Sequence, residues 1–391
     1  MDVHGTPNGI AQPGADVLRR YGARLAGRVA LAAAVLLTGG CERADPPPGA
    51  SYAGLGSEAG GYLQVERGRA LQFPADHGAH DGYRIEWWYV TAALEDEQGQ
   101  PWGAQWTLFR SALRPGRDGA GWESPNVWMA HAALTDARRH DFAEKFARGG
   151  VGQAGVRATP FEAWIDDWSL QSAGAAPDDA GESADGVNRL TMQAGGKDFS
   201  YRLTLVADGP LVLHGDGGYS EKSGQGQASY YYSQPFYRVE GEVRRGQERH
   251  HVRGRAWLDR EWSSQPLSAD QRGWDWFSLH LAGGDKLMLF QVRQSSGGPF
   301  RAGTWIGADG RAVVLDGTQI RLDPQGWTDQ HNGRRVPTRW RVRVAGPSGK
   351  ELDVNAAAVY PQAWMGTAFP YWEGPVRLDS GGTGYLEMTG Y

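Results

Sequence analysis

Short runs of alternating or continuous apolar residues recur along the chain from about residue 62 onward. In the first half they cover residues 86–94, 102–113, 127–134, 161–165, 189–193 and 199–206, and in the second half 274–281, 286–293, 303–306, 319–322, 339–344, 352–359 and 385–389. Runs of this length, separated by turn residues such as Glu97-Gln98-Gly99, are typical of β-strands. No segment has the pattern of a long amphipathic helix, so the sequence predicts an all-β protein.

The two halves of the chain share one local pattern. In the first half, Glu86 and two aromatic residues are followed by a hairpin and a strand that ends at Arg110; in the second half, Asp275, two aromatics, a hairpin and Arg293 follow the same order. Such a repeat predicts two copies of one β-barrel-like unit, over residues 62–240 and 241–391. Small barrels enclose a filled interior or one small ligand, and a cleft between two domains is a preferred site for ligands.

The N-terminal residues have the pattern of an export signal. Arginines precede an apolar run at 29–37, and Thr38-Gly39-Gly40 leads to Cys41, the one cysteine in the chain. The apolar run is too short to span a bilayer, which takes about 20 residues. We expect residues 1–41 to be a signal peptide ending at a lipobox-type cysteine and residues 42–61 to be a flexible tether, although the lipobox leucine is displaced by one position to Leu37. The alternative is a plain secreted protein with an incidental cysteine.

Composition and motifs exclude several classes of function. The net charge is −5 and acidic and basic residues are interspersed, so no basic stripe indicates a nucleic-acid partner. No HExxH or CxxC motif predicts a metal, no GxSxG predicts a serine hydrolase, and no GxGxxG predicts a nucleotide. We therefore expect neither a metal nor another cofactor.

Two clusters of tryptophan and acid stand out among the 17 tryptophans: EWWY at 86–89 and DREW at 259–262. An acid held among aromatic rings is partly desolvated, which raises its pKa and suits it to donate a proton or to orient an apolar ligand. Two alternatives stay open. The acids could serve only as hydrogen-bond acceptors for buried indoles, and Asp259 and Glu261 could form a structural ion-pair network with Arg255 or Arg260.

Seven stretches of the chain resemble the AttH/CrtC superfamily, secreted lipocalin-like proteins that include carotenoid 1,2-hydratases. They are YRIEWWYVTAAL (83–94), MAHAALTD with FAEKFARG (129–136, 142–149), YYYSQPFYRVEGEV (230–243), GRAWLDREW (254–262), WDWFSLHL (274–281), FPYWEGPV (369–376) and GYLEMTGY (384–391). They follow the family order over nearly the whole chain after the tether. The resemblance implies two tandem lipocalin-like β-barrel domains.

The resemblance also implies roles for particular residues. In the hydratases an aspartate protonates a terminal isoprenoid alkene and water then adds, and Asp259 matches that acid, with Glu261 left to activate the water. The hydratases carry a histidine and a tryptophan where this chain has three successive tyrosines at 230–232. His131 is a further candidate base if strand alternation turns it toward a cavity, and otherwise a packing residue. The predicted ligand-binding residues are Glu86, Trp87, Trp88, Tyr230, Tyr232, Trp257, Trp262 and Trp276.

Two functions fit these observations. The first is a periplasmic lipoprotein, anchored to a membrane through acylated Cys41, that binds an apolar isoprenoid, lipid or polyketide-like ligand and works with an ABC-type export system of the kind that family members accompany. The second is a cofactor-free, hydratase-like enzyme that protonates an alkene through Asp259. The tyrosine substitutions and the anchor favour the binding protein, whereas the Asp259 motif favours the enzyme. A structural adaptor is a third class, for which the sequence offers no feature.

Overall fold

The described part of the chain consists mainly of β-strands. A computed structural model describes residues 60–116, 118–119, 121–174, 186–265 and 270–391. Within these ranges the helical elements are three single 3₁₀ turns, Ala75–His77, Gly121–Glu123 and Pro347–Gly349. The all-β prediction is confirmed. Alternating apolar and polar residues fit a pleated surface with one buried face.

The first sheet contains thirteen strands of the described residues. They are β1 (Ile85–Asp96), β2 (Pro101–Ala112), β3 (Asn126–Asp136), β4 (His140–Arg148), β5 (Ala154–Ala158), β6 (Phe161–Ile165), β7 (Trp168–Ser172), β8 (Arg189–Gly195), β9 (Phe199–Ala207), β10 (Val212–Leu213), β11 (Tyr219–Glu221), β12 (Ala228–Arg245) and β13 (Glu248–Ser263). Antiparallel pairing gives the order β4-β3-β2-β1-β13-β12-β9-β8-β7-β6-β5, and β10 and β11 pair with β12. The sheet curls into a nearly closed barrel, and Trp88, Trp106 and Trp168 are among the side chains in its core.

The second sheet contains ten strands of the described residues. They are β14 (Gln271–His280), β15 (Lys286–Gln294), β16 (Phe300–Ile306), β17 (Ala312–Leu315), β18 (Ile320–Asp329), β19 (Arg335–Ala345), β20 (Glu351–Ala358), β21 (Trp364–Met365), β22 (Tyr371–Leu378) and β23 (Thr383–Met388). Their order is β17-β16-β15-β14-β23-β22-β20-β19-β18, with β21 beside β22. This half-barrel has its own core around Phe277, Trp340 and Trp372. The prediction of two tandem barrel domains is confirmed.

The repeated hairpin is present in both sheets. Strands β1 and β2 pair so that Glu86 lies opposite Arg110, and the two side chains form an ion pair. Strands β14 and β15 form the matching hairpin, in which the Arg293 Nε lies 3.3 Å from the Asp275 carboxylate. An acid and an arginine are thus paired across the same hairpin in each unit, as the sequence repeat indicates.

Strand β1 supplies both faces of the first sheet. Trp88 and Val90 belong to the barrel core, whereas Trp87 and Tyr89 belong to a separate apolar cluster that includes side chains of the second sheet, such as Trp276. Successive side chains of a strand point to opposite faces, so one aromatic segment builds both the barrel interior and the surface that meets the other sheet.

The change from one sheet to the other lies between Ser263 and Gln271. The predicted boundary at residue 240 falls inside β12, which continues to Arg245 and pairs with β13 along most of its length. The signal peptide, Cys41 and nearly all of the predicted tether lie outside the described residues. In the described ranges, no helix has the length and apolar character needed to cross a membrane.

Candidate active site

A cavity of about 340 Å³ lies where the two sheets face each other. Strands β1, β2, β3, β12 and β13 form one wall, and β14, β15, β22 and β23 form the other. Its lining is mainly aromatic and apolar, including Trp87, Tyr89, Phe109, Met129, Tyr231, Trp274, Trp276, Phe290, Val292 and Tyr371. The volume lies at the lower end of the range for small-molecule sites, which are typically apolar with a few placed polar groups.

Asp259 is one of those polar groups, and it is 2% exposed. Its Oδ1 accepts hydrogen bonds from Trp257 Nε1 at 2.7 Å and from the Ser233 hydroxyl. Burial raises the pKa of Asp259 to about 7, and the hydrogen bonds from Ser233, Trp257 and Tyr231 oppose that rise. A carboxyl group with this pKa carries a proton in a large fraction of molecules at neutral pH.

Neither neighbouring arginine contacts Asp259. Arg260 points to the opposite face of β13, where its Nη2 lies 2.6 Å from Glu86 and its guanidinium lies 3.7 Å from the ring centre of Trp88. Arg255 pairs near the surface with Asp208, at 3.1 Å. The ion-pair network that strand neighbours suggest for Asp259 is therefore not formed, because alternation turns Arg260 into the barrel.

Ser233 connects Asp259 to His214. The Nε2 of His214 lies 2.6 Å from the Ser233 hydroxyl, and its Nδ1 lies 2.8 Å from the Thr304 hydroxyl of the second sheet. Burial lowers the pKa of His214 to about 3, so the ring is neutral. Sequence reasoning missed His214, since only the pairing of β10 with β12 places it beside Ser233.

Glu261 lines the same wall but has a cationic partner. Lys222 Nζ lies 2.8 Å from its Oε1, and the Ser229 hydroxyl donates to the same carboxylate. The ammonium group of Lys222 also lies 4.7 Å from the ring centre of Tyr231. The cavity wall thus carries an ion pair beside Asp259, at a place where a water molecule could be held.

His131 lines the cavity from β3. Its Nδ1 lies 2.9 Å from the Tyr371 hydroxyl and its Nε2 lies 3.1 Å from Glu144 Oε1. Burial lowers the pKa of His131. The ring therefore connects a cavity-lining tyrosine with a partly exposed carboxylate.

The predicted binding residues divide between the cavity and the barrel side of the first sheet. Trp87 and Trp276 line the cavity, and Trp257 lies behind it as a donor to Asp259. Four others face the barrel side instead: Trp88 lies in the barrel core, and Tyr230, Tyr232 and Trp262 form a cluster with residues of the segment before β1. Of the three successive tyrosines, the middle one reaches the cavity, because strand alternation turns its two neighbours away.

Glu86 borders the cavity, but its carboxylate belongs to a buried ion-pair network. Arg110 and Arg260 both contact it, and the His80 ring nitrogen Nδ1 lies 3.1 Å away. Burial alone would raise the pKa of Glu86, but the two arginines hold it well below its usual value. Both carboxylate oxygens of Glu86 are therefore taken by partners inside the protein, and neither is available to a ligand.

Two further acids were missed by the sequence reasoning. Glu387 of β23 lines the cavity and accepts a hydrogen bond from Trp274 Nε1 at 2.6 Å. Glu373 of β22 accepts one from the Tyr89 hydroxyl. Burial raises the pKa of Glu387 to about 7 and that of Glu373 well above its usual range. A lone acid inside an otherwise apolar strand, in YWEGPV and GYLEMT, was the available signal. In the described residues no cluster of three histidine, cysteine or acidic side chains is arranged to hold a metal.

Comparisons with known proteins agree with this architecture. The AttH-like family model matches residues 64–391. A crystal structure of an AttH protein from Nitrosomonas europaea is 33% identical, with a TM-score of 0.72, over 84% of this chain and 99% of that chain. Kievitone hydratase from Nectria haematococca shares the fold at 14% identity, with a TM-score of 0.57, over 84% of this chain and 97% of its own. No curated protein matches the sequence.

Proposed function

We propose, from the premise that this chain belongs to the AttH-like family, that it catalyses the acid-dependent addition of water to an alkene of an apolar substrate. Asp259 is the proton donor. The observation that carries the proposal is the burial of this carboxyl group against an aromatic cavity, with hydrogen bonds from neutral donors alone. A hydratase with the same fold, kievitone hydratase, supports the reaction class by analogy.

The proposed reaction needs a proton, a stabilised cation and a held water. The O–H bond of protonated Asp259 breaks while the π electrons of the alkene form a new C–H bond. Positive charge then develops on the more substituted carbon, where the faces of Tyr231 and Trp276 stabilise it. Water bonds to that carbon and releases a proton to a nearby carboxylate, which balances the charge of the addition. Asp259 regains its own proton from solvent before the next turnover, and the accepting carboxylate releases its proton to solvent. The same steps in reverse remove water from an alcohol.

The ion pair of Glu261 with Lys222 supplies the polar end of the cavity. Its 2.8 Å contact and the adjacent Ser229 hydroxyl offer both a hydrogen-bond acceptor and donors to a water molecule. The rest of the lining is mainly aromatic and apolar, so the substrate is expected to be an isoprenoid or polyketide-like alkene with few polar groups.

The proposal is tested with citronellol, a short isoprenoid with a trisubstituted terminal alkene, as the first of a panel of alkenes incubated in D₂O. The wild type should incorporate deuterium at the alkene carbon, and Asp259→Asn should lower the rate by about 10²- to 10⁴-fold, the usual contribution of a general acid. Asp275→Asn is the matched control, because Asp275 is a buried acid that does not line the cavity. Retention of full activity in Asp259→Asn would contradict the role of Asp259.

A second candidate function is the binding of an apolar ligand without turnover. The exposed side chains of Leu113 and Phe146, 65% and 53% exposed, lie at the cavity rim and suit the entry of an apolar molecule. Absence of turnover over the whole panel, with tight binding by both wild type and Asp259→Asn, would favour this function over catalysis.

A lipid anchor at Cys41, a periplasmic location and an ABC-type export partner are further proposals. The apolar run and small residues that precede Cys41 support the anchor and the location, whereas the export partner rests on the family resemblance alone. In the native host, Cys41→Ser should move the protein from the membrane fraction to the soluble fraction. A wild-type protein that is already soluble and unmodified by mass spectrometry would contradict the anchor.

A further inference from the structure

Two carboxyl groups lie side by side on the second sheet, one of them lining the cavity and the other next to it. Strands β22 and β23 pair so that Glu373 lies directly opposite Glu387. Glu373 is buried and Glu387 is half-buried. The two share one face of the sheet, because their neighbours Trp372 and Leu386 point the other way, into the core of the second domain. Side chains directly opposite in an antiparallel pair have Cβ atoms about 4.5–5.5 Å apart, and like charges there are destabilising.

No cation offsets this repulsion. In the described ranges, neither Glu373 nor Glu387 has a lysine, arginine or histidine within ion-pair distance. Glu373 Oε2 is buried without a hydrogen-bond partner there. Two ionised carboxylates so placed would be strongly unfavourable, whereas one proton between them removes the repulsion and satisfies an oxygen.

The groups that face the pair are hydroxyls, an indole and one further acid, Glu261, whose charge is already paired with Lys222. The first sheet contributes Tyr201, Tyr89 and Glu261. The Tyr89 hydroxyl donates to Glu373 and also hydrogen-bonds Glu387. From the second sheet come the indole of Trp274, Tyr371 and Tyr385. Their hydroxyl and indole groups donate hydrogen bonds but bring no positive charge, so they do not replace the proton.

We propose that Glu373 and Glu387 share one proton and form a second acid–base centre on the second sheet, across from Asp259, with Glu387 facing the cavity. Tyr89 joins the two walls, because it lies opposite Asp259 in the pairing of β1 with β13 while its hydroxyl donates to Glu373. The role in hydration rests on the proposed function: Asp259 donates a proton to the alkene, and Glu387 accepts the proton that the attacking water releases. The shared proton itself does not depend on that reaction.

A chain of hydrogen bonds leads from this pair toward the protein surface. Glu373 is hydrogen-bonded to Tyr371, whose hydroxyl lies 2.9 Å from His131 Nδ1. The other ring nitrogen of His131 lies 3.1 Å from Glu144, whose side chain is 20% exposed. A neutral imidazole has one donor and one acceptor nitrogen, so it can pass a proton between these partners. The chain gives His131 a role in moving protons between Glu373 and solvent.

Infrared difference spectroscopy tests the shared proton in protein labelled with carbon-13 at the glutamate carboxyl groups. The wild type should show a protonated glutamate band that persists at about pH 6, where ordinary glutamates are ionised. Glu387→Gln and Glu373→Gln should each abolish that band or shift its titration midpoint to lower pH, because the remaining carboxyl loses its like-charged neighbour. Asp259→Asn, which alters the opposite wall, should leave the band in place.

Tyr89→Phe provides a second variant that keeps both carboxyl groups. Loss of its hydrogen bond should move the titration of the band to higher pH. A wild-type glutamate band that disappears by about pH 5, or one that neither glutamine variant changes, would overturn the shared proton. With citronellol in D₂O, Glu387→Gln should lower the yield of the hydrated product at least tenfold. An unchanged yield, with the infrared band confirmed, would overturn only its role in hydration.

Discussion

Glu86 and Asp259 are both buried carboxyl groups on two neighbouring, antiparallel strands, yet they have opposite properties. Glu86 faces the barrel interior, where Arg110 and Arg260 hold its pKa well below the usual value. Asp259 faces the cavity, where its hydrogen bonds come from neutral donors, and burial raises its pKa to about 7. Burial is common to both sites, so the sign of the pKa shift is decided by the charge of the neighbours.

Glu86 therefore has a structural role, whereas Asp259 is suited to proton transfer. The carboxylate of Glu86 compensates two buried guanidinium groups, and a proton there would leave them without their counter-charge. Asp259 compensates no cation, so it can gain or lose a proton without breaking an ion pair. The two faces of one sheet therefore hold a fixed charge and an exchangeable proton a few strand positions apart.

The largest expected effect comes from removing the charge of Glu86. Glu86→Gln should lower the free energy of unfolding by about 3–5 kcal/mol, because Arg110 and Arg260 are left buried without a counter-charge. Guanidinium denaturation near pH 7 measures the change, with Asp259→Asn as the matched substitution on the other face. A decrease in the free energy of unfolding of less than about 1 kcal/mol for Glu86→Gln would contradict the structural role assigned to Glu86.

The stability of the protein should depend on pH through Asp259 with the opposite sign to that of an ion-paired acid. The pKa of this group rises from 3.8 to about 7 on folding, so its stabilising contribution is complete below about pH 4 and is lost as the pH rises toward 7. Asp259→Asn does not titrate, so it should gain stability relative to the wild type between about pH 4 and pH 8. The gain is at most about 4 kcal/mol.

Thermal unfolding of the wild type and of Asp259→Asn, each at about pH 4 and about pH 8, measures this difference in stability. A relative stability that does not change with pH, or that moves in the wild type's favour as the pH rises, would show that Asp259 is ionised in the folded protein at low pH.

A smaller effect should follow from removing one neutral donor to Asp259. Ser233→Ala takes away a hydrogen bond that favours the charged carboxylate, so the pKa of Asp259 should rise by about one unit, which corresponds to about 1.4 kcal/mol. Ser229→Ala is the matched control on the same strand, since that hydroxyl donates to Glu261. The midpoint of the Asp259 titration should shift in Ser233→Ala but not in Ser229→Ala. Equal shifts in both variants would argue against a direct hydrogen bond from Ser233 to Asp259.

The smallest effect concerns the central tyrosine of β12. Tyr231→Phe removes a hydroxyl that accepts from Trp276 Nε1 at 3.2 Å, so affinity for an apolar fluorescent probe in the cavity should change by about tenfold or less. Tyr232→Phe is the control on the barrel face and should leave probe affinity unchanged. Equal changes in both variants would contradict the assignment of faces.

The sequence predicts the strands and the repeated unit well, because alternation and turn residues are local signals. It also identifies Asp259, Glu261, His131, Trp87 and Trp276, all of which line the cavity. It does not assign the faces of β12 and β13, since three successive tyrosines give no polar contrast from which to read alternation. The contacts of His214 with Thr304 and of Glu373 with Tyr89 join the two sheets, and no local pattern in the sequence encodes how the sheets pack on each other.

The most direct test of the account is the protonation state of Asp259 itself. Protein labelled with carbon-13 at the aspartate carboxyl groups can be titrated by infrared spectroscopy, with Asp259→Asn to assign the band. We predict a protonated aspartate band that is absent in Asp259→Asn and disappears with a midpoint near pH 7 in the wild type. A wild-type protein whose aspartates are all ionised above about pH 5 would contradict the proposal that Asp259 is the proton donor.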